Sequence, residues 1–167
     1  MAHTGDFTHA AREIEKLGSI RDGLTLAKNN YWAGQVEIMR IEAAGTLAQA
    51  QGRTEESLKL MRDAADLEDA TEKSPVTPGP IVPAREVLAG VLLESNQPKL
   101  ALTEFERSLS QSPNRLNGLY GAARAAELAG NRGKAENYYG RLSRACSLSD
   151  GERPEVKRAR AFLASAD

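Results

Sequence analysis

The strongest constraint on this chain of 167 residues is a pattern that recurs every 34 residues. Windows 38–71, 82–115 and 116–149 carry the same kinds of residue at the same places. The seventh and eighth places hold Ala44 and Gly45, Leu88 and Ala89, Ala122 and Ala123, all small or core-sized. The twentieth holds Ser57, Ala101 and Ala135, the twenty-fourth Met61, Phe105 and Tyr139, and the twenty-seventh Ala64, Ser108 and Leu142. Small and bulky residues alternating at helical spacing suit two helices that cross closely. One further place holds Gly52, Asn96 and Gly130, residue types that tolerate the left-handed backbone closing a helix. Each window therefore reads as a helix, a tight turn and a second helix. Such a pair cannot bury its apolar face alone, so neighbouring pairs must stack.

The rest of the chain agrees with an all-helical fold. Strong helix formers dominate, and no stretch alternates apolar and polar residues in the period of two expected of a half-buried strand. The pattern predicts helices near 5–17, continuing brokenly through Gly18 and Gly23 to about 28, then near 31–50, 54–70, 83–95, 98–111, 115–129, 132–147 and 154–164. Ser112, Pro113 and Asn114 read as a turn, with Asn114 offered as a cap to the next helix. Four of the seven prolines, Pro75, Pro78, Pro80 and Pro83, fall within nine residues, where no helix can run. This proline-rich insertion, 72–81, separates two helical blocks. It is expected either to pack as a spacer or to shape a binding site with Tyr31, Trp32, Glu68 and Asp69. The whole of 1–167 reads as one domain: N-terminal helices over 5–30, the three windows, the insertion and a capping helix over 153–165. In that last helix Val156, Ala159 and Phe162 share a stripe, leaving Lys157, Arg158 and Arg160 as a solvated basic face, the alternative being a docking patch.

Through the 34-residue period and these alternating places the chain resembles the tetratricopeptide repeat (TPR) family. The family's large aromatic places are filled by Ile41, Arg85 and Leu119, and by Ala48, Leu92 and Ala126. The stretches YWAGQVEI and LMRDAADLEDATEKSPVTPGPIVPARE also resemble the C-terminal region of bacterial TPR proteins of unassigned function. The resemblance implies an α-solenoid of antiparallel helix pairs whose first helices line a concave, partner-binding face. Residues at i, i+4 and i+7 of those helices would point into it. They are Glu42, Thr46 and Gln49, then Glu86, Gly90 and Leu93, then Tyr120, Arg124 and Glu127, with Asn117 nearby. TPR adaptors that hold a peptide's terminal carboxylate use lysines, an arginine and asparagines on this face. Here the face is mainly acidic and Arg124 is its one cation, so the expected ligand is a protein or peptide segment with basic and apolar residues. The alternative is a structural role, in which the stack self-associates as a homo-oligomer.

Little in the sequence supports catalysis. His3 and His9 are six residues apart, too far round a helix to act together, and Cys146 has no histidine in its half of the chain. One cysteine excludes an internal disulfide framework and a four-cysteine zinc site. No phosphate-binding loop or calcium loop occurs. Asp66, Glu68, Asp69 and Glu72 have the chemistry to hold a divalent cation, although a hydrated surface is the commoner reason for such a run. Trp32 beside Tyr31 is expected to be a core anchor between helix pairs, the alternative being a platform for ligand stacking. With 22 basic and 23 acidic residues the net charge is −1, which provides no field for nucleic acid or an anionic membrane. No apolar run spans a bilayer and no leader pattern opens the chain, so the expectation is a cytoplasmic protein with no enzymatic role, no metal and no cofactor.

Overall fold

A computed structural model describes residues 5–71, 80–148 and 153–165. Over these residues the chain forms eight helices and no strand: α1 (Phe7–Leu26), α2 (Asn30–Ala50), α3 (Thr54–Ala70), α4 (Ala84–Glu94), α5 (Pro98–Gln111), α6 (Leu116–Leu128), α7 (Arg132–Ala145) and α8 (Pro154–Ala164). None is long and apolar enough to cross a membrane. Residues 72–79 of the proline-rich insertion, Glu72 of the acidic run, and His3 lie outside the described residues. Pro80 is half-buried, and Ile81 is exposed.

The expected interruption of the first helix does not occur. Asp6 caps α1 by accepting a hydrogen bond from the His9 amide at 3.0 Å, and the helix runs unbroken through Gly18 and Gly23. Each glycine costs a helix about 1 kcal/mol relative to alanine. Packing compensates: Leu17 and Leu24 are half-buried, and Arg21 reaches Glu37 on α2 at 2.8 Å.

The helices fall into two compact units, Met1–Val91 and Leu92–Asp167. In the first, α2 packs against both α1 and α3. A Cβ added at Gly45 would lie 2.9 Å from Met61 Cε, so the small residue sets how closely α2 and α3 cross. Ile38, Leu47, Ala48, Leu58, Met61, Ala64 and Ala65 fill the core around that crossing. The first turn of α4 is tied to the end of α3. Arg85, only 8% exposed, donates from Nε to Asp69 at 2.7 Å and from Nη2 to Asp66 at 2.9 Å, while the Ala84 amide donates to Glu68 at 3.2 Å.

In the second unit α5 packs on α6, α6 on α7, and α7 on α8. Phe105 of α5 lies against the backbone of α6 at Gly121, where any added Cβ would collide with its ring. Seven of the 13 residues of α6 are buried, including Leu119, Ala122, Ala123 and Ala126. Val156 and Ala159 of α8 are fully buried, and its Phe162 ring sits 4.7 Å from that of Tyr139 on α7.

The shared turn place behaves as the sequence predicts. Gly52, Asn96 and Gly130 have φ of 76°, 55° and 74°. In each case the next amide donates to a carbonyl five residues back: Arg53 to Ala48 at 2.9 Å, Gln97 to Leu92 at 2.8 Å, and Asn131 to Ala126 at 2.8 Å. This left-handed closure satisfies carbonyls that a helix end leaves open. A fourth copy, unforeseen, stands between α1 and α2, where Lys28 takes φ 56° and Asn29 donates to Leu24 at 2.9 Å. Asn114 is not the cap of α6. Its φ is 74°, so it turns the chain, and Arg115 occupies the cap position without capping the helix through its side chain.

Candidate functional site

In the first unit α2 carries a stripe with two exposed, large apolar side chains. Gly45 of α2 meets α3, and Glu37 meets α1 through Arg21. At 3.6 residues per turn, Met39 lies more than about 100° round the helix from both. Trp32, Gln35, Met39, Glu42, Thr46 and Gln49 follow one another at spacings of three or four and so share a stripe. Trp32 is 47% exposed and Met39 55%, large values for apolar side chains of this size. Trp32 is therefore not the core anchor expected; its ring meets Tyr31 edge-on at 5.3 Å.

Three of the candidate residues lie on this stripe. Glu42 is half-buried and its Oε1 is enclosed without a hydrogen-bond partner. Burial, reinforced by the negative charge of Glu68 on α3, pushes its carboxyl up to about 7. The Thr46 hydroxyl donates to the Glu42 carbonyl at 2.9 Å, within the helix. Gln49 is also half-buried, with an enclosed and unpartnered Oε1. On α4, Glu86 is buried at 6% exposure, and Gly90 has open space where a Cβ would stand.

The acidic run at the end of α3 has a structural task. Arg85 stands where the repeat pattern calls for a core residue, and a guanidinium taken out of water needs carboxylates. Asp66 and Asp69 supply them. Among the described residues no group of three His, Cys, Asp or Glu side chains could hold a metal ion.

In the second unit the candidates converge on Glu127. Its Oε2 accepts from Arg124 Nη1 at 3.0 Å and from the Tyr139 hydroxyl at 2.8 Å, and its Oε1 accepts from Arg158 of α8. Burial acts to raise the Glu127 carboxyl, but the bonds from Tyr139 and Arg124 prevail and hold it below the usual range. Tyr139 is fully buried, and burial together with Glu127 pushes its hydroxyl up to about 12. Tyr120 is half-buried with its ring edge-on to Tyr139 at 6.4 Å. Arg124 and Glu127 are thus bonded to each other and lock α6, α7 and α8 together. Arg158 belongs to that lock rather than to a purely solvated basic face. Leu93 is half-buried and Asn117 exposed.

Two hollows accompany these helices. One of about 160 Å³ is lined by Glu127, Gly130, Arg132, Phe162 and Ser165, below the few hundred Å³ of a usual small-molecule site. The other, about 360 Å³, runs along Asn96–Leu100 to Leu128 and Ala129. His9 lies 3.6 Å from Glu13 on α1, and Cys146 is half-buried at the end of α7; neither lines either of these two hollows. Sequence reasoning missed Met39 because it followed the candidate line from Glu42 towards the C-terminus; the same spacing run backwards reaches Met39, Gln35 and Trp32. No protein-family model and no curated protein matches the chain.

Proposed function

We propose that this chain is a TPR-like stack of antiparallel helix pairs that binds a peptide or protein segment along the outward faces of its first helices, and that it is not an enzyme. The observation that carries the reading is the recurrence at one place of the left-handed turns Gly52, Asn96 and Gly130, with the small and bulky places around them buried except for the half-buried Ala44. A chain built from equivalent pairs presents equivalent helix faces, a surface suited to an extended segment. The α2 stripe offers such a face at Trp32 and Met39, exposed residues of types that anchor partners.

The same exposed pair also supports a second reading, in which another copy of the chain covers the stripe. Both are tested by measuring mass in solution beside peptide binding, for the wild type and for Thr46→Lys and Asn117→Lys. These positions are preferable to Glu86 and Arg124, which are buried or ion-paired. Loss of peptide binding with unchanged mass supports a recognition face. A mass that falls to the monomer in the variants supports self-association and overturns the first reading.

A further inference from the structure

We propose that Glu42 and Glu68 form a proton-operated catch on α4: with a proton on Glu42 the Glu68 carboxylate holds the Ala84 amide, and without one the two negative charges part and the first turn of α4 loosens from α3. The catch does not depend on the peptide-binding reading. It bears on it, because α4 carries Glu86 and Gly90 and its first turn presents the former.

Three groups meet here. Glu42 Oε1 is enclosed and has no hydrogen-bond partner, so a charge on it is poorly solvated, whereas a protonated carboxyl avoids that cost. Glu68 on α3 acts on Glu42 with a charge of the same sign. The Ala84 amide, at the start of α4 where a helix offers its first amides no carbonyl, donates to Glu68 Oε2 at 3.2 Å. One carboxylate thus faces a neighbour on each side, and a charge gained by Glu42 reaches α4 through it. Two carboxylates that share a site resist being ionised together.

The surrounding cations are already engaged. Arg85 answers two carboxylates at once, Asp69 at 2.7 Å and Asp66 at 2.9 Å, and Glu68 beside them makes a third. On the face of α1 towards α2, Arg21 is bonded to Glu37 and Asp22, and on α2 itself Arg40 is bonded to Glu37. Lys59 and Arg62 of α3 are exposed, and α4 adds a further carboxyl in Glu86, buried at 6% exposure. Burial, and after it the charge of Glu68, raises the Glu42 carboxyl from 4.5 to about 7. The side chain as a whole is half-buried rather than sealed, so its proton exchanges with solvent. The catch is therefore closed below that value and released as pH rises through it. With a midpoint near 7, the protonated fraction falls from about nine tenths at pH 6 to about one tenth at pH 8.

NMR on the full chain between pH 5.5 and 8.5 tests this, through backbone amide exchange and the carbon shift of the Glu42 carboxyl. Protection of the Ala84 amide, corrected for the intrinsic pH dependence of exchange, should fall at least tenfold between pH 6 and pH 8, with the midpoint of the Glu42 titration. The Asn131 amide, bonded to Ala126 in the second unit, should keep its protection. Glu42→Gln, which keeps the shape and removes the charge, should hold Ala84 at its pH 6 protection throughout. Glu68→Gln leaves an acceptor for Ala84 but no opposing charge; it should reduce the fall to less than threefold and lower the Glu42 midpoint, and it carries the test on its own where Glu42→Gln does not fold. A Glu42 carboxyl that titrates near 7 with Ala84 unmoved would mean that the side chain simply turns to water, which overturns the catch. Titration of Glu42 near 4.5, or a tenfold fall at Ala84 that survives either substitution, overturns it equally.

Discussion

At Gly121 the backbone of α6 comes against the ring of Phe105, and the absence of a side chain there determines how closely α5 and α6 approach. Gly121→Ala should cost about 1 to 3 kcal/mol, the usual range for overpacking a core. Adding Phe105→Leu should recover part of that loss, because the smaller side chain vacates the space the methyl needs. Urea denaturation of the two single variants and the double variant measures the coupling; strictly additive losses would show that the glycine serves something other than the ring. Glu42 makes a prediction of a different kind. Its carboxyl rises from 4.5 to about 7 on folding, so the folded chain holds a proton that the unfolded chain has released between these values. Stability supplied by the protonated form is complete below about 4.5 and lost as pH rises through 7. A fully enclosed group with this shift would forfeit about 3 kcal/mol, and one partly in contact with solvent about 1 to 2. Glu42→Gln should accordingly match the wild type near pH 5 and exceed it near pH 8, and melting curves at the two values check this. A variant that gains nothing at pH 8 would show that the ionised carboxylate is already well solvated. Spacing placed Glu42 on an outward line, but neither spacing nor composition could indicate that an oxygen there is enclosed. That depends on α3 bringing Glu68 and its neighbours alongside, a contact across 26 residues of chain.

Among the elements, turns were the most legible and caps the least. Gly52, Asn96 and Gly130 declare themselves because few residues accept a positive φ cheaply. Lys28 does not, since lysine carries no such signature and its φ of 56° is imposed by the packing of α1 on α2. Lys28→Gly should therefore stabilise the chain by about 0.5 to 1 kcal/mol by removing that strain, whereas Gly130→Ala should destabilise it by a similar amount. Equal effects from the two substitutions in thermal melts would contradict the assignment. The docking of α8 was legible as a stripe of Val156, Ala159 and Phe162, yet its polar lock was not. Glu127 and Arg124 looked like surface residues of a helix face, and only the fold brings Tyr139 and Arg158 to them. The sign of the lock's pH dependence follows from the depressed Glu127 carboxyl. Its contribution is present above the ordinary carboxylate value and lost as pH falls below it. Acid should thus loosen α8 before α6. Tyr139→Phe, which deletes one bond to Glu127, should cost about 1 kcal/mol and advance that loosening to higher pH.

At the scale of the whole molecule the alternation of small and bulky places identified nearly every helix, because burial at a helix crossing is read directly from periodicity. Arg85 shows where periodicity fails: at a place that calls for a large apolar residue, the fold accepts a guanidinium and supplies Asp66 and Asp69 to neutralise it. The acidic run therefore looked like a metal site or a wet surface until its counterion was located. Burial is also spread unevenly along the chain. α1 has no buried residue in 20 and rests on half-buried contacts with α2 and the Arg21–Glu37 pair, whereas α6 buries Gly118, Leu119, Gly121, Ala122, Ala123, Ala125 and Ala126. Opening α1 exposes little apolar surface. Opening α6 removes the partner of both α5 and α7. Since local opening free energies follow such differences, amide exchange should be fastest in α1 and slowest in α6, with α2 and α3 between. A charge swap at the supporting pair, Arg21→Glu, should speed exchange in α1 while leaving α6 unchanged. Exchange protection that is uniform across the chain would mean that α1 is held by contacts other than these, and would remove the basis for treating its helix as the first to open.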